Sequence, residues 1–375
     1  MQRMPPADST AGIVLLFALF WLSALLLAYP LSKRNPHLKI TPLFIMYRRE
    51  SAFDFLRSLQ GKKWFGVVLT ASIAVTLLSM FLFYYFIFTI SIRSLAGEES
   101  AVGIIPIVPG VTVKGAAIIY IIASIGIAAA IHELSHAAAL RHVGVPIRST
   151  GVLLAVILPA AFVEPNEEEF ARRSIKEKVK VYSAGPASNF VLALLFLALI
   201  TGLSAMSVGV EILQVEPGSP AEEAGLKPGF VITEVNGKPV KTIEDLHEAL
   251  LPYRDIEATI VIKGVFKDGR PATFTVHKTK ETKLIGIVIR QAKAIGFLPD
   301  SIYYPLVAFV TYGYLINLSL ALINAAPLFI TDGGRMLHDV IVLKFGGVKG
   351  KVLNFFIQIL TLLMVFSSIR FVPIT

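Results

Sequence analysis

Two histidines stand four residues apart with a glutamate between them, in the run His132-Glu133-Leu134-Ser135-His136. On a helix, residues four apart share a face, one turn above the other. His132 and His136 can therefore both point at one metal ion. Glu133 adjoins the first ligand and can reach a water bound to that ion. This is the H-E-x-x-H arrangement, in which two imidazoles hold zinc and the carboxylate is a general base for hydrolysis. The setting is unusual: the apolar run GAAIIYIIASIGIAAA (115–130) precedes the motif, and Ala137, Ala138, Ala139 and Leu140 follow it.

Catalytic zinc takes three protein ligands and keeps one position for water. His142 lies six residues beyond His136, but the chain has Ala139 where a turning glycine is needed. On a continuing helix, six residues rotate His142 about 240° from the ligand face. The acids between Glu164 and Glu169 are clustered, and a solvated face is their simpler role. Asp332 is the better candidate. It closes the segment Asn324-Ala-Ala-Pro327-Leu-Phe-Ile-Thr-Asp332-Gly333-Gly334. There Pro327 frees a backbone carbonyl and the two glycines are expected to end a helix.

These residues need elements that carry them into an apolar medium. Only 16% of the 375 residues are charged, against about 25% in a soluble domain. Long apolar runs make up the difference, which indicates a polytopic membrane protein. Spans are expected at about 12–31, 64–90, 116–140, 179–206, 303–330 and 352–372. Lys33, Arg34, Lys39, Arg48, Arg49, Arg57, Lys62 and Lys63 crowd the first loop, which marks it as cytoplasmic. By the same rule every basic loop falls inside and both termini fall outside. The net charge of +9 is then loop charge. No aromatic-basic pattern for nucleic acid appears. With no cysteine, disulfides and thiolate zinc sites are excluded. His132 would lie roughly 12 Å inside the membrane boundary, where ionisable groups line interior cavities.

Two stretches are not simple spans. GVLLAVILPAAFV (151–163) is too short to cross and has basic flanks on both sides. It reads as a re-entrant hairpin, which either lines a cleft and offers an edge to an extended substrate or simply packs. Ser174 and Glu177 have capping-box spacing before the fourth span. That span carries Gly185-Pro186 and Asn189. Asn189 is a candidate for binding a substrate backbone; hydrogen bonding to a neighbouring helix is the alternative. From 208 to 293 the composition turns soluble. Alternating segments VEILQV, FVITEV, ATIVIKGV, ATFTVHK and LIGIVI are separated by Gly, Pro and Asn turns, with a helix at 243–251. Four regions result: 1–114, 115–207, 208–293 and 294–375.

Together the motifs resemble the site-2 protease family, whose signature pairs H-E-x-x-H with N-x-x-P-x-x-x-L-D-G in a later helix. Here Asn324, Pro327, Asp332 and Gly333 match, while Thr331 replaces the usual Leu and Ser135 stands where Gly is frequent. The resemblance implies Zn2+ held by His132, His136 and Asp332, with Glu133 as base and Asn324 assisting near the substrate carbonyl. It implies a polytopic α-helical membrane fold of about six helices with its catalytic site toward the cytoplasm. The 208–293 insert resembles a bacterial PDZ domain, through Pro217-Gly218-Ser219-Pro220-Ala221, Ala224-Gly225-Leu226-Lys227-Pro228-Gly229 and Val235-Asn236-Gly237; Phe230 departs from the usual Asp. An extracytoplasmic α/β domain is expected, with Gly209–Ile212 as candidate peptide-binding strand. Substrates would be transmembrane segments of membrane-bound regulators, first trimmed by an upstream protease. Rival readings are a membrane scaffold built on the PDZ-like domain and an ion transporter using the same polar residues.

Overall fold

The computed structural model describes residues 10–50, 53–95, 103–107, 112–113, 115–156, 158–282, 284–293 and 298–369. The chain forms two compact units, Met1–Leu197 with Ala308–Thr375, and Ala198–Val307. In chain order the first unit begins with α1 (Thr10–Arg34), β1 (Leu38–Ile40), β2 (Ile45–Glu50), α2 (Lys63–Leu95) and α3 (Ala117–His142). It continues with β3 (Ile147–Ala155), β4 (Leu158–Pro165), α4 (Glu167–Ala171) and α5 (Ile175–Ala205). The second unit contains β5 (Ser207–Val215), α6 (Pro220–Glu223), β6 (Phe230–Val235), β7 (Lys238–Pro239), α7 (Ile243–Leu250), β8 (Ala258–Phe266), β9 (Pro271–Lys278) and β10 (Ile287–Lys293). The chain then runs through α8 (Asp300–Ala325), α9 (Asp332–Phe345) and α10 (Gly347–Ser368).

Among the described residues, α2, α3, α5, α8 and α10 are the five helices long and apolar enough to cross a membrane. Their large apolar side chains point outward, as with Val67, Phe81, Phe356 and Leu360. Inward positions hold small or hydroxylic residues: Ser72, Thr76 and Ser79 on α2, Ala128 and Ala137 on α3, and Ser183, Ala184 and Gly185 on α5. Such residues let helix backbones approach where lipid offers no hydrophobic drive between helices. α5 opens with the expected box: Glu177 Oε2 accepts from the Ser174 backbone at 3.0 Å, and Ser174 Oγ accepts from the Glu177 N–H at 3.4 Å.

The segment 151–163 is the β3–β4 hairpin, and it has company. The basic stretch expected to be a plain loop supplies β1 and β2, so the sheet has four antiparallel strands in the order β1-β2-β3-β4. Six-residue β2 carries Arg48 and Arg49, which mask its strand pattern in the sequence. Arg48 spans the sheet to pair with Glu164, and Ser149 Oγ donates to the same carboxylate at 2.6 Å. β4 ends the sheet and packs on α3, with Pro159 against Gly126.

The second unit is an antiparallel sheet ordered β10-β5-β6-β8-β9, with β7 paired to β6. Alternation buries Val210, Ile212, Phe230, Ile232, Ile260, Ile262 and Val276 around Leu246 of α7. Asn236 and Gly237 both adopt positive φ between β6 and β7, the backbone a two-residue hairpin turn requires. Strand β5 has β10 on one side and β6 on the other. Gly209–Ile212 therefore has no free edge for a peptide, contrary to the sequence expectation. The open edges belong to β10 and β9.

Candidate metal centre

Three elements converge here. α3 brings His132 and His136 on one face, as the four-residue spacing requires. Asp332 comes from the start of α9, 200 positions after His132. Its Oδ2 lies 3.1 Å from each histidine Nε2, and the two Nε2 atoms are 3.1 Å apart. A tetrahedral ion with ligands at about 2.0–2.1 Å spaces them about 3.3 Å apart. The triangle fits such an ion, and two imidazoles with one carboxylate are a zinc donor set. Among the described residues this is the only trio of His, Cys, Asp or Glu gathered so closely.

The rings are held from behind. Val181 of α5 offers its carbonyl at 2.8 Å to His136 Nδ1, which donates and leaves the Nε2 lone pair free toward the triangle. The Asn189 amide lies 3.3 Å from His132 Nδ1 and is fully buried. As oriented, its oxygen is buried with no partner and its NH2 faces the ring. A half-turn of the amide exchanges the two. The oxygen then accepts from Nδ1–H, which again frees Nε2. This buried position serves the ligand ring. The contact is to a neighbouring helix, the alternative to substrate binding that the sequence offers for Asn189.

Gly185 is the floor of the site. A Cβ there would stand 2.4 Å from His136 Nε2 and 2.5 Å from His132 Nε2. Only glycine leaves that space open. The sequence shows Gly185-Pro186 in a membrane helix, but nothing local ties Gly185 to histidines some fifty positions earlier.

The Asp332 segment differs from its expected form. α8 stops at Ala325, and Pro327 lies in the link that follows. Gly333 and Gly334 do not end a helix; they lie in the first turn of α9. An added Cβ would meet the Ala325 carbonyl oxygen at 1.9 Å from Gly333 and the Leu328 oxygen at 1.8 Å from Gly334. These glycines permit close backbone packing. Thr331, in place of the usual Leu, caps α9: its Oγ1 accepts from the Gly334 N–H at 3.1 Å and sits 2.5 Å from the Ala326 carbonyl. Local hydroxyl bonds thus hold the link that aims Asp332.

Glu133 lies against the backbone of Val163 in β4, within electrostatic reach of His136, His132 and Asp332. Asn324, half-buried near the end of α8, has no hydrogen-bond partner among the described residues. The competing ligands are engaged elsewhere. His142 Nδ1 donates to the Leu59 carbonyl at 3.0 Å, and its ring meets Phe65 edge-on. Glu164 is bound by Arg48 and Ser149, while Glu167, Glu168 and Glu169 form the first turn of α4 behind the Asn166 cap.

Residues 120–367 match the family model described as Peptidase family M50. Over 211 residues the chain is 30% identical to an uncharacterized protein of Methanocaldococcus jannaschii, covering 55% of this chain and 53% of that one. It is 23% identical over 239 residues to the regulator of sigma-W protease RasP of Bacillus subtilis, covering 51% and 56%. Metalloprotease MmpA of Caulobacter vibrioides is 30% identical over 118 residues, 31% of this chain and 28% of that protein. The chain spans about half the length of the first of these relatives. The family match runs from the first ligand helix to the last described one and takes in α3, α5 and α9, the three elements that meet at the triangle. On that extent the chain belongs to Peptidase family M50, the site-2 protease family its two motifs resemble.

Proposed function

We propose that this protein is an intramembrane zinc metalloprotease that hydrolyses peptide bonds within transmembrane segments of other membrane proteins. One observation carries the reading: His132, His136 and Asp332 converge on a point among apolar helices with Glu133 beside them. His132, His136 and Asp332 would hold zinc. Zinc bound there would polarise a scissile carbonyl and bring its water toward a pKa of about 7. Glu133 is the general base that takes the water proton and returns it to the leaving nitrogen. Val181 and Asn189 keep both rings in the metal-binding tautomer. The Asn324 side chain, without a hydrogen-bond partner among the described residues, is available to a substrate carbonyl.

A substrate helix hides its carbonyls in hydrogen bonds and must unwind before attack. β4 is the last strand of its sheet and runs past Glu133 at Val163. An unwound segment pairing with that edge would present its backbone to the base. A scaffold or an ion pathway has no use for a carboxylate placed beside a closed metal triangle.

The second unit is read as a PDZ-like domain. A groove of about 350 Å³ lies between α7 and β10, lined by Ile243, Leu246, His247, Leu250, Ile287 and Ile289. An extended peptide end can add to β10 there. In this reading α1 is a sixth span, basic loops face the cytoplasm, the metal centre lies toward that side and the PDZ-like domain outside. It would admit membrane-bound regulators already trimmed by an upstream protease.

The test uses purified full-length protein in liposomes with a transmembrane test peptide. Glu133→Gln should retain zinc and lose cleavage, and Asp332→Ala should lose zinc. Unchanged cleavage with Gln at 133 would remove the mechanism. Unchanged zinc in Asp332→Ala would remove the ligand assignment.

A further inference from the structure

Helices α5 and α9 meet along one line. On α9, Asp332, Met336 and Asp339 follow at spacings of four and three, so they share a face. On α5 the facing residues are Lys178, Tyr182 and Ser183. The Tyr182 hydroxyl donates to Asp339 Oδ2 at 3.2 Å, and Ser183 Oγ lies 3.6 Å from Met336 Sδ. Lys178 Nζ stands 3.8 Å from the same Asp339 oxygen, and His338 Nδ1 lies 3.1 Å from the other. The Tyr182 ring is itself held edge-on by Phe170.

Two of these neighbours matter for the metal centre. Val181, the residue before Tyr182, supplies the carbonyl that orients His136. Asp339 lies seven residues from Asp332 on one rigid helix, a rise of about 10.5 Å. A shift of α9 along α5 therefore moves Asp332 relative to both imidazoles. The Ser183–Met336 contact is soft and allows sliding. The Tyr182–Asp339 hydrogen bond is directional and does not.

We propose that Tyr182 and Asp339 are positioning residues that set the register of α9 on α5 and so place the Asp332 carboxylate in the metal triangle. The proposal rests on the metal-binding reading above. Neither residue touches the ion or the substrate.

The test measures zinc affinity by chelator competition, and the visible absorption spectrum of the Co2+-substituted protein, on the full chain in detergent. Variants are Tyr182→Phe, Asp339→Leu, their double, and Asp339→Asn, with Asp332→Ala as reference. Tyr182→Phe and Asp339→Leu should each weaken zinc about tenfold, as loss of outer-shell partners does, and change the Co2+ bands. The double should be no weaker than either single. Asp339→Asn still accepts from Tyr182 and should stay near wild type. Wild-type affinity and spectrum in Tyr182→Phe, alongside loss in Asp332→Ala, would overturn the proposal. So would additive losses in the double, or an Asn variant as weak as Leu. Should Asp339→Leu not fold, Tyr182→Phe and Asp339→Asn decide. Wild-type metal binding in Asp332→Ala would instead defeat the metal reading on which this inference stands.

Discussion

The interior of the sheet unit is built of large apolar side chains, whereas the metal-bearing helices add small and polar residues to theirs and turn much apolar surface outward. In the sheet unit the interior is Phe230, Ile232, Ile260, Ile262 and Leu246, and the buried charges, Glu211 and Lys278, are both paired. Among the helices many large apolar side chains face out, and the interior mixes Phe83, Ile87 and Leu140 with Ser183, Gly185, Asn189, His132 and Asn317. Water drives the first arrangement, because apolar area is worth about 25 cal/mol per Å² removed from it. A lipid surround offers no such gain, so close backbone approach and hydrogen bonds decide the second. Substitutions should therefore fail differently in the two regions: by added volume at the metal site, by lost volume in the sheet.

The largest effect is expected at Gly185. Gly185→Ala places a methyl within 2.6 Å of ring atoms of both histidines. A displacement near 1 Å at a catalytic group can lower rate about 100-fold, so cleavage of a transmembrane peptide should fall at least that far, with zinc content falling alongside. Full zinc and full cleavage in this variant would show that the floor of the site gives way. Phe230→Ala is the converse test. Its side chain is fully buried beside Phe266 and Phe274, and its loss should destabilise the sheet unit by about 3–5 kcal/mol. Amide exchange should report that loss in residues 207–293 while zinc binding is unchanged.

Asn189→Leu keeps volume and removes the partner of His132. Zinc affinity should drop about 10- to 100-fold, measured against a chelator. Affinity equal to wild type would mean that the ring needs no such partner. The smallest effect lies at the start of α7. Asp245 accepts backbone N–H bonds from Lys241 at 2.9 Å and Thr242 at 2.8 Å, and these hold its carboxyl below the usual range. Its stabilising effect is complete above the unfolded pKa of about 3.9 and fades as pH falls through the lower folded value. As pH falls below about 4, amide protection of α7 should decline in wild type. The decline should be shallower in Asp245→Asn, and equal slopes would refute the role.

Much of this was legible because it is local. His132 and His136 share a face by helical period alone, and the Ser174–Glu177 box and the alternation in β6 and β8 read directly. Asp332 is legible only through its Asn324–Gly334 segment and the family motif that segment matches, not through any local spacing to the histidines. Strands β1 and β2 were hidden, since three- and six-residue strands carrying Lys39, Arg48 and Arg49 look like a basic loop until β3 pairs with them. Gly333 and Gly334 look locally like a helix stop because glycine often ends helices; the carbonyls of Ala325 and Leu328 are what forbid any side chain there.

The amino-acid order by itself determined the ligand types, the spacing that puts two imidazoles on one face, and the apolar runs that carry them. These follow from backbone geometry and transfer free energy, which act within a few turns of chain. Only the tertiary structure decided that Gly185 lies under the histidines, that Val181 and Asn189 sit against their Nδ1 atoms, and that Thr331 caps the helix carrying Asp332. The histidine contacts join chain segments far apart in sequence and are fixed by packing, which no short-range periodicity encodes.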